Sequence, residues 1–389
     1  MLLLYKTKEM IKLESYTAGR FEKHHTGYTY FLPTSVNDQW KWEDQTLNLL
    51  LEKAAIKLGE LNSYARLVPN IDLFIQLHVT KEAVVSSRIE GTQTNMDEAL
   101  LAEEEINPER RNDWKEVNNY IKALNEAISE LEKLPISSRL LKQTHKTLLS
   151  GVRGEHKMPG EYRSSQNWIG GNTLLDAVFI PPHQDFVPDL MSDLEKFLHN
   201  DSIKVPALIK IGIAHYQFET IHPFLDGNGR IGRLLITLFL IDQKILQKPL
   251  LYLSAYFEKN KGLYYDNLTF VRSKNNMTQW LKYFLAGIAE TAENATQTLR
   301  AIMELKARLE SRLATTYGKR ATNAGILLNA LLKKPVIHVN EAQKLLGVSY
   351  KAANDLISEM LQNGLLKEMT GKSRNRVFLF DEYIKLFRI

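Results

Sequence analysis

The chain has 389 residues, with 50 Lys and Arg against 45 Asp and Glu and no cysteine. This length allows two or three domains, and so near a balance of charge does not by itself imply a nucleic-acid partner. The lack of cysteine excludes disulfides, thiolate nucleophiles and Cys-ligated metal sites.

The N-terminal MLLLYKTKEM holds no apolar segment long enough for a signal peptide. The apolar run that starts at Leu234 is broken by Asp242 and Lys244, short of the roughly 20 residues a membrane helix needs. A cytoplasmic protein with no membrane partner is expected. Helical patterns dominate the whole chain, so the fold class expected is mainly α with small β elements.

In chain order, the first telling segment is KEAVVSSRIEG from Lys81, helical in pattern, with Gly91 suited to a C′ stop. Ser86 and Glu90 are four apart and share a helical face, and Thr94 with Asp97 makes a capping-box-like start for the next helix. By itself this is an ordinary solvated helix face. Between Gly160 and Glu195, Gln166 to Ile169 and Ala177 to Ile180 read as two short strands about a Gly170-Gly171 turn, ended by Pro181-Pro182.

The segment from Val205 to Ile221 is a helix pattern with Pro206 at its first turn, and a second helix pattern opens at Arg230 and runs through Leu234 to Ile241. Between them lies HPFLDGNGRIGR, from His222 to Arg233. It combines a candidate proton acceptor, a candidate metal ligand, exposed backbone N–H groups and fixed positive charge. Gly227 and Gly229 allow positive φ and close approach. A helix N-terminus has unpartnered N–H groups and a favourable dipole, so an anion is expected there. The formal G-x-G-x-x-G at Gly227, Gly229 and Gly232 is accidental, because a dinucleotide site needs a preceding strand. Calcium of the EF-hand type is excluded, because the sixth loop position is Ile231 and not glycine.

Downstream, the aromatics Tyr252, Tyr256, Phe257, Tyr264 and Tyr265 are spaced for helical packing. From about Arg320 the chain reads as a separate unit. TNAGILLNALLKKP is a helix, Asn340 caps EAQKLLG with Gly347 as its stop, and Ser349 caps YKAANDLISEMLQNG with Gly364 as its stop. The runs LLKEM and RVFLF follow as strands. This order resembles a winged helix-turn-helix, in which Lys351 on the presumed recognition helix and Lys372, Arg374 and Arg376 on the wing are candidate DNA-contact residues. DNA binding and protein docking remain equally open for it. The expected domains are a helical N-terminal region over 1–105, a catalytic core over 106–315 and this unit over 316–389.

His222, Pro223, Phe224, Asp226, Gly227, Asn228, Gly229, Arg230 and Arg233 fill every fixed position of the signature HPFxDGNGRxxR, and the chain resembles the Fic family. The resemblance implies transfer of AMP from ATP onto a Ser, Thr or Tyr hydroxyl of a target protein, the enzyme itself being one option, and a homodimer another. It implies His222 as general base, Asp226 as the ligand of Mg²⁺, and Asn228, Gly227 and Gly229 as a phosphate cradle. Arg230 and Arg233 would grip the β- and γ-phosphates. It makes the hairpin a flap for the target backbone, with Trp168, Ile169, Gly170, Ala177 and Phe179 as its contact residues. Ser86 to Gly91 matches the family's inhibitory motif [S/T]xxxE[G/N], in which Glu90 would pair with Arg233. Asn260 and Tyr264 fall where the family places the adenine, with Lys261 standing where arginine is frequent.

Two functional classes stay open on these residues. One is an auto-inhibited protein adenylyltransferase, with use of another nucleotide or removal of AMP as variants. The other is a DNA-binding regulator whose Fic-like core senses nucleotide. The intact His222 favours the enzyme, because a site that only binds has no need of a base beside the phosphates.

Overall fold

The computed structural model describes residues 10–371 and 375–388. The opening stretch departs from the helical expectation for residues 1–105. Here β1 (Ile11–Lys12), β2 (Gly19–Lys23), β3 (Thr29–Pro33) and β4 (Trp40–Lys41) form two small sheets. β1 runs parallel to β4, and β2 pairs antiparallel with β3 from Gly19↔Pro33 to Lys23↔Thr29. Such short strands carry little periodicity to read, and they are fixed from outside. The Phe31 N–H donates to the Ile180 carbonyl at 3.0 Å, and the Val36 N–H donates to the Asp193 carboxylate at 2.7 Å.

Helices then take over. α1 (Gln45–Leu67) starts on the Asp44 carboxylate, which accepts from the Leu47 N–H at 2.8 Å. α2 (Asp72–Ile89) ends with Glu90 as its C-cap residue and with Gly91 at φ +103°, the stop that the glycine predicts. α3 (Met96–Ala99) begins with a reciprocal capping box between Asn95 and Glu98, one residue later than the Thr94–Asp97 pair expected. α4 (Arg111–Glu130), α5 (Ser138–Leu148), α6 (Val187–His199), α7 (Ala207–Ile221) and α8 (Asn228–Asp242) build the core. α9 (Ser254–Lys259), α10 (Lys261–Lys274) and the long α11 (Met277–Thr316) close it.

α7 is the centre of this core, packed against α6, α8 and α11, and buried from Leu208 through Ile221. It leaves no face for solvent and encloses Lys210, His215, Gln217 and Glu219 along with its apolar residues. α11 lies along α1, while α2 packs on α4 and α9.

The C-terminal unit comprises α12 (Ala321–Lys333), β5 (Val336–His338), α13 (Val339–Leu346), α14 (Tyr350–Gln362), β6 (Lys367–Glu368), β7 (Val377–Leu379) and α15 (Asp381–Lys385). β7 is the central strand of an antiparallel sheet ordered β5-β7-β6. The two strand runs read from sequence are thus shorter than expected, and β5 was not foreseen. α13 is capped by Glu341 reaching back to the His338 N–H at 3.0 Å, which moves its start two residues ahead of Asn340. Ser349 caps α14 as expected, and Gly347 and Gly364 take positive φ at the two helix ends. α12 packs on α2, and Arg388 pairs with Asp97 at 2.8 Å.

Candidate active site

The loop from His222 to Gly227 joins two buried helices, and its shape follows from how α7 is stopped. His222 takes the left-handed conformation at φ +50°, while its N–H still donates to the Phe218 carbonyl at 2.9 Å. A non-glycine residue there is strained and persists only where neighbours hold it. Its carbonyl accepts from Arg163 Nε at 3.0 Å and from Asn167 Nδ2 at 3.3 Å. Arg163 is itself buried and donates further to the carbonyls of Ile221, Ser165 and Pro182. The His222 ring is enclosed, and burial together with the nearby charges of Arg163 and Arg272 pushes its pKa down to about 3. At neutral pH the imidazole is therefore uncharged.

Gly227 reverses the chain at φ +75°, and α8 begins at Asn228. A second histidine braces this turn. The Gly160 N–H donates to His145 Nδ1 at 2.9 Å, which leaves Nε2–H to donate to the Asp226 carbonyl at 2.9 Å. The ring stacks on Phe224 with centroids 3.9 Å apart, and burial pushes its pKa down to about 4.

The Asn228 side chain is tied to the loop. Its Oδ1 accepts from the Phe224 N–H and its Nδ2 donates to the Phe224 carbonyl, both at 2.8 Å. Both ends of the amide are spent on the loop backbone, so the side chain shapes the loop. The N–H groups at the start of α8 keep the anion-binding character expected of a helix N-terminus.

Both motif arginines are buried and paired with carboxylates. Arg230 donates to Glu116 at 3.1 Å and lies 3.9 Å from Asp226, and Glu116 also binds Arg153 at 2.7 Å. Arg233 donates from Nε to the Ser86 hydroxyl at 2.9 Å and from its terminal nitrogen to the Ser86 carbonyl at 2.9 Å. The same nitrogen meets Glu90 Oε1 at 2.7 Å. Burial alone would raise the Glu90 carboxyl, but the Arg233 guanidinium holds it below the usual range. This carboxylate lies across Gly229, where any Cβ would collide with Oε1. The side chain of Glu90 is 32 % exposed. Thus Ser86 and Glu90 meet Gly229 and Arg233 at one point, although the two pairs lie more than a hundred residues apart in sequence. Lys261 adds to this by donating to the carbonyl of Ile89 at 2.7 Å, at the C-terminal end of α2.

Asp226 accepts the Gly227 N–H at 2.6 Å on Oδ1, and its side chain is 44 % exposed. Among the described residues, no three His, Asp or Glu side chains gather as a metal cluster. A single open carboxylate suits Mg²⁺, which takes one or two protein carboxylates and completes its shell with phosphate oxygen and water.

The remaining expected site residues divide. The flap is a bridge between Ile169 and Phe179 rather than two strands, with Gly170 and Gly171 at positive φ and Trp168 exposed. Ala177 is half-buried, and Phe179 is buried beneath the Arg272 guanidinium at 3.9 Å. Phe179 is therefore a support of the flap and not a contact surface. Tyr264 is 1 % exposed, and its hydroxyl meets His215 Nε2 at 2.9 Å, so it belongs to the core and presents no face to a base. Its neighbour Tyr265, 40 % exposed, is the ring that reaches the surface. Asn260 is half-buried and donates to the Tyr256 carbonyl at 3.2 Å. In the C-terminal unit Lys351 is exposed, whereas Arg376 pairs with Glu368 at 2.7 Å and covers Phe378. Lys372 and Arg374 lie outside the described residues.

Glu116, His145, Arg163 and Asn167 were missed by sequence reasoning. Each lies far from the motif in sequence, and no local pattern distinguishes it from an ordinary surface residue.

Comparison with known proteins agrees with this site. Residues 48–129 match the Fic/DOC family N-terminal model, and residues 135–240 match the Fic/DOC family model, which takes in the whole loop. The chain belongs to the Fic/DOC family. It is 24 % identical over 321 residues to a probable protein adenylyltransferase of Aquifex aeolicus, covering 82 % of this chain and 90 % of that one. It is 31 % identical over 114 residues to the protein adenylyltransferase Fic of Drosophila erecta, a stretch that is 29 % of this chain and 21 % of that protein. The fold is similar to that of a Fic family protein from Desulfovibrio desulfuricans, with a TM-score of 0.55 and 21 % identity, covering 87 % of this chain and 96 % of the other. Among the described residues no helix is long and apolar enough to cross a membrane.

Proposed function

We propose that this protein transfers AMP from ATP to a Ser, Thr or Tyr hydroxyl of a target protein, and that Glu90 holds it at low activity. The observation that carries the reading is the meeting of an uncharged, enclosed His222 with a helix start whose anion position is filled by the chain's own carboxylate.

In this reaction the acceptor oxygen bonds to the α-phosphorus as the bond to the β-phosphate bridging oxygen breaks, and pyrophosphate leaves. The hydroxyl proton passes to the imidazole of His222, which is uncharged at neutral pH. The N–H groups at the start of α8 and the guanidinium groups of Arg230 and Arg233 hold the negative charge of the phosphates in a fixed geometry. Mg²⁺ on Asp226 would supply further neutralisation of phosphate charge.

Glu90 opposes this arrangement in two ways. It occupies the donor of Arg233 that a γ-phosphate would use, and it brings a negative charge over Gly229. ATP then binds displaced from in-line geometry. The flap would align the target through backbone pairing at the edge that carries Ile169. We take the C-terminal unit to be a winged helix that docks a partner protein, because Arg376 is already neutralised by Glu368.

The test is incorporation of label from ATP carrying it at the α- or the γ-phosphate, with wild type, Glu90→Gly and His222→Ala side by side. Protein-bound label from the α position alone, raised in Glu90→Gly and lost in His222→Ala, is the expected result. Label from the γ position would mean phosphotransfer and would refute the leaving group. Absence of label in every variant, with cell lysate present, would shift the reading to a nucleotide-sensing regulator.

A further inference from the structure

A cavity of about 360 Å³ opens between α2, α9, the middle of α11 and the residues after α15. Its volume falls within the range of small-molecule sites, roughly 300–1,000 Å³. None of the groups assigned above to AMP transfer lines it.

Three polar groups on its wall are buried without a hydrogen-bond partner among the described residues: His78 Nε2, the second oxygen of Glu82 and the Tyr252 hydroxyl. Their residues are only 6 %, 3 % and 8 % exposed. Buried polar atoms are normally paired, and each one left alone carries a desolvation cost that a guest would relieve. Three such atoms on one cavity wall mark a place that receives hydrogen bonds. The other oxygen of Glu82 is already taken, by the hydroxyls of Tyr120 and Ser254.

The charges on the wall give the sign of the guest. Lys259 is paired with Glu290 at 3.3 Å, and Arg388 is paired with Asp97 and Asp381 at 2.8 and 3.0 Å. Lys81 forms no ion pair among the described residues, and burial pushes its amine below the usual range. It stands one turn from His78, whose pKa is pushed down to about 3 by burial and by Lys81 itself. Burial pushes Glu82 up to about 7, so it is half protonated near neutrality and offers a donor. The rest of the wall combines aromatic and aliphatic side chains, among them Tyr256, Leu250 and Phe387, with the uncharged polar Asn294, Gln297 and Thr298.

We propose that this cavity is a binding site for a small organic anion, with its carboxylate or phosphate against Lys81 and His78 and a flat apolar body between Tyr252, Tyr256 and Phe387. The guest's anionic group supplies the counter-charge that Lys81 lacks, and its remaining oxygens accept from the donors of the wall.

The experiment is titration calorimetry of the full chain with two probes of equal shape and opposite charge, naphthalene carboxylate and naphthylmethylammonium. Saturable one-to-one binding of the carboxylate and none of the ammonium is expected. Lys81→Met keeps the aliphatic stem and should weaken the carboxylate by about tenfold or more, as loss of one charge-assisted contact does. Thr291→Trp, on the half-buried rim of the cavity, should abolish binding by filling it. A circular dichroism melt of each variant establishes that it is folded. The proposal is overturned if the ammonium binds as tightly as the carboxylate, if Lys81→Met binds like wild type, or if no saturable heat is seen in the millimolar range. None of these results depends on AMP transfer, because no group proposed to act in that reaction is altered.

Discussion

Replacing Glu90 by glycine isolates the contact proposed to restrain the enzyme. The carboxylate makes one charge-assisted hydrogen bond to Arg233 at 2.7 Å, a class of contact worth about 1.5–3 kcal/mol. Its side chain is 32 % exposed, and the adjacent solvent screens part of that energy, so about 2 kcal/mol is the appropriate figure. If ATP must displace this contact to reach in-line geometry, its removal raises the rate of label transfer by roughly 30-fold, at 1.4 kcal/mol for each factor of ten. The assay is the initial rate of protein-bound label from ATP marked at the α-phosphate, at fixed Mg²⁺. Glu90→Gln keeps the shape and removes the charge, and should fall between wild type and Glu90→Gly. A rate for Glu90→Gly within about threefold of wild type would refute the reasoning, provided that Arg233→Ala lowers the rate in the same preparation.

Asn228→Ala removes two buried bonds to Phe224 and leaves its N–H unpaired, so stability should fall by about 2–3 kcal/mol in urea denaturation. A loss below about half of that would mean the loop is held elsewhere. Tyr264→Phe should cost about 1 kcal/mol of stability and leave the KM for ATP within about twofold, because its hydroxyl serves His215 in the core. A KM raised tenfold would restore it to the base pocket. Stability should also fall on mild acidification. His78, His145, His215 and His222 have folded pKa values depressed to about 3 or 4, so their contribution is present above the unfolded value of 6.5 and is lost as pH falls through that window. Glu82 and Glu219, raised to about 7 from 4.5, act in the opposite sense and stabilise below that window. Four histidines against two glutamates leave a net slope of roughly 2–3 kcal/mol per unit around pH 5. Urea titrations that give equal stability at neutrality and at pH 5 would contradict this balance.

What could be read from the sequence was local. The loop motif, the stop at Gly91 and the cap at Ser349 each depend on residues within a few positions of one another, and the fold honours them. The tie of the Asn228 side chain to the Phe224 N–H was not foreseen, because that N–H is placed by the strained turn at His222, which no residue type announces. Tyr264 and Tyr265 are adjacent in chain but about 100° apart around a helix, so only the packing of α10 against its neighbours decides which one is buried. The flap hairpin forms with a shorter ladder than the sequence suggests, for a different reason. Its segment is anchored by Arg163 and Asn167 on the loop and by Phe31 from the N-terminus, and these hold it without a full ladder. Glu116 and His145 act on the motif across 114 and 81 residues of chain, a separation over which composition and periodicity carry no signal.

The tie between Arg388 and Asp97, together with the packing of α12 on α2, has a topological consequence. The segment that carries Ser86 and Glu90 is clasped by the core on one side and by the last residues of the chain on the other. A protease cut between α11 and α12 would therefore leave the two fragments associated, since severing the backbone there breaks neither clasp. Conversely, a partner that pulls the C-terminal unit away strips one wall from α2. Whatever docks on that unit is thus mechanically in series with the arginine that Glu90 occupies.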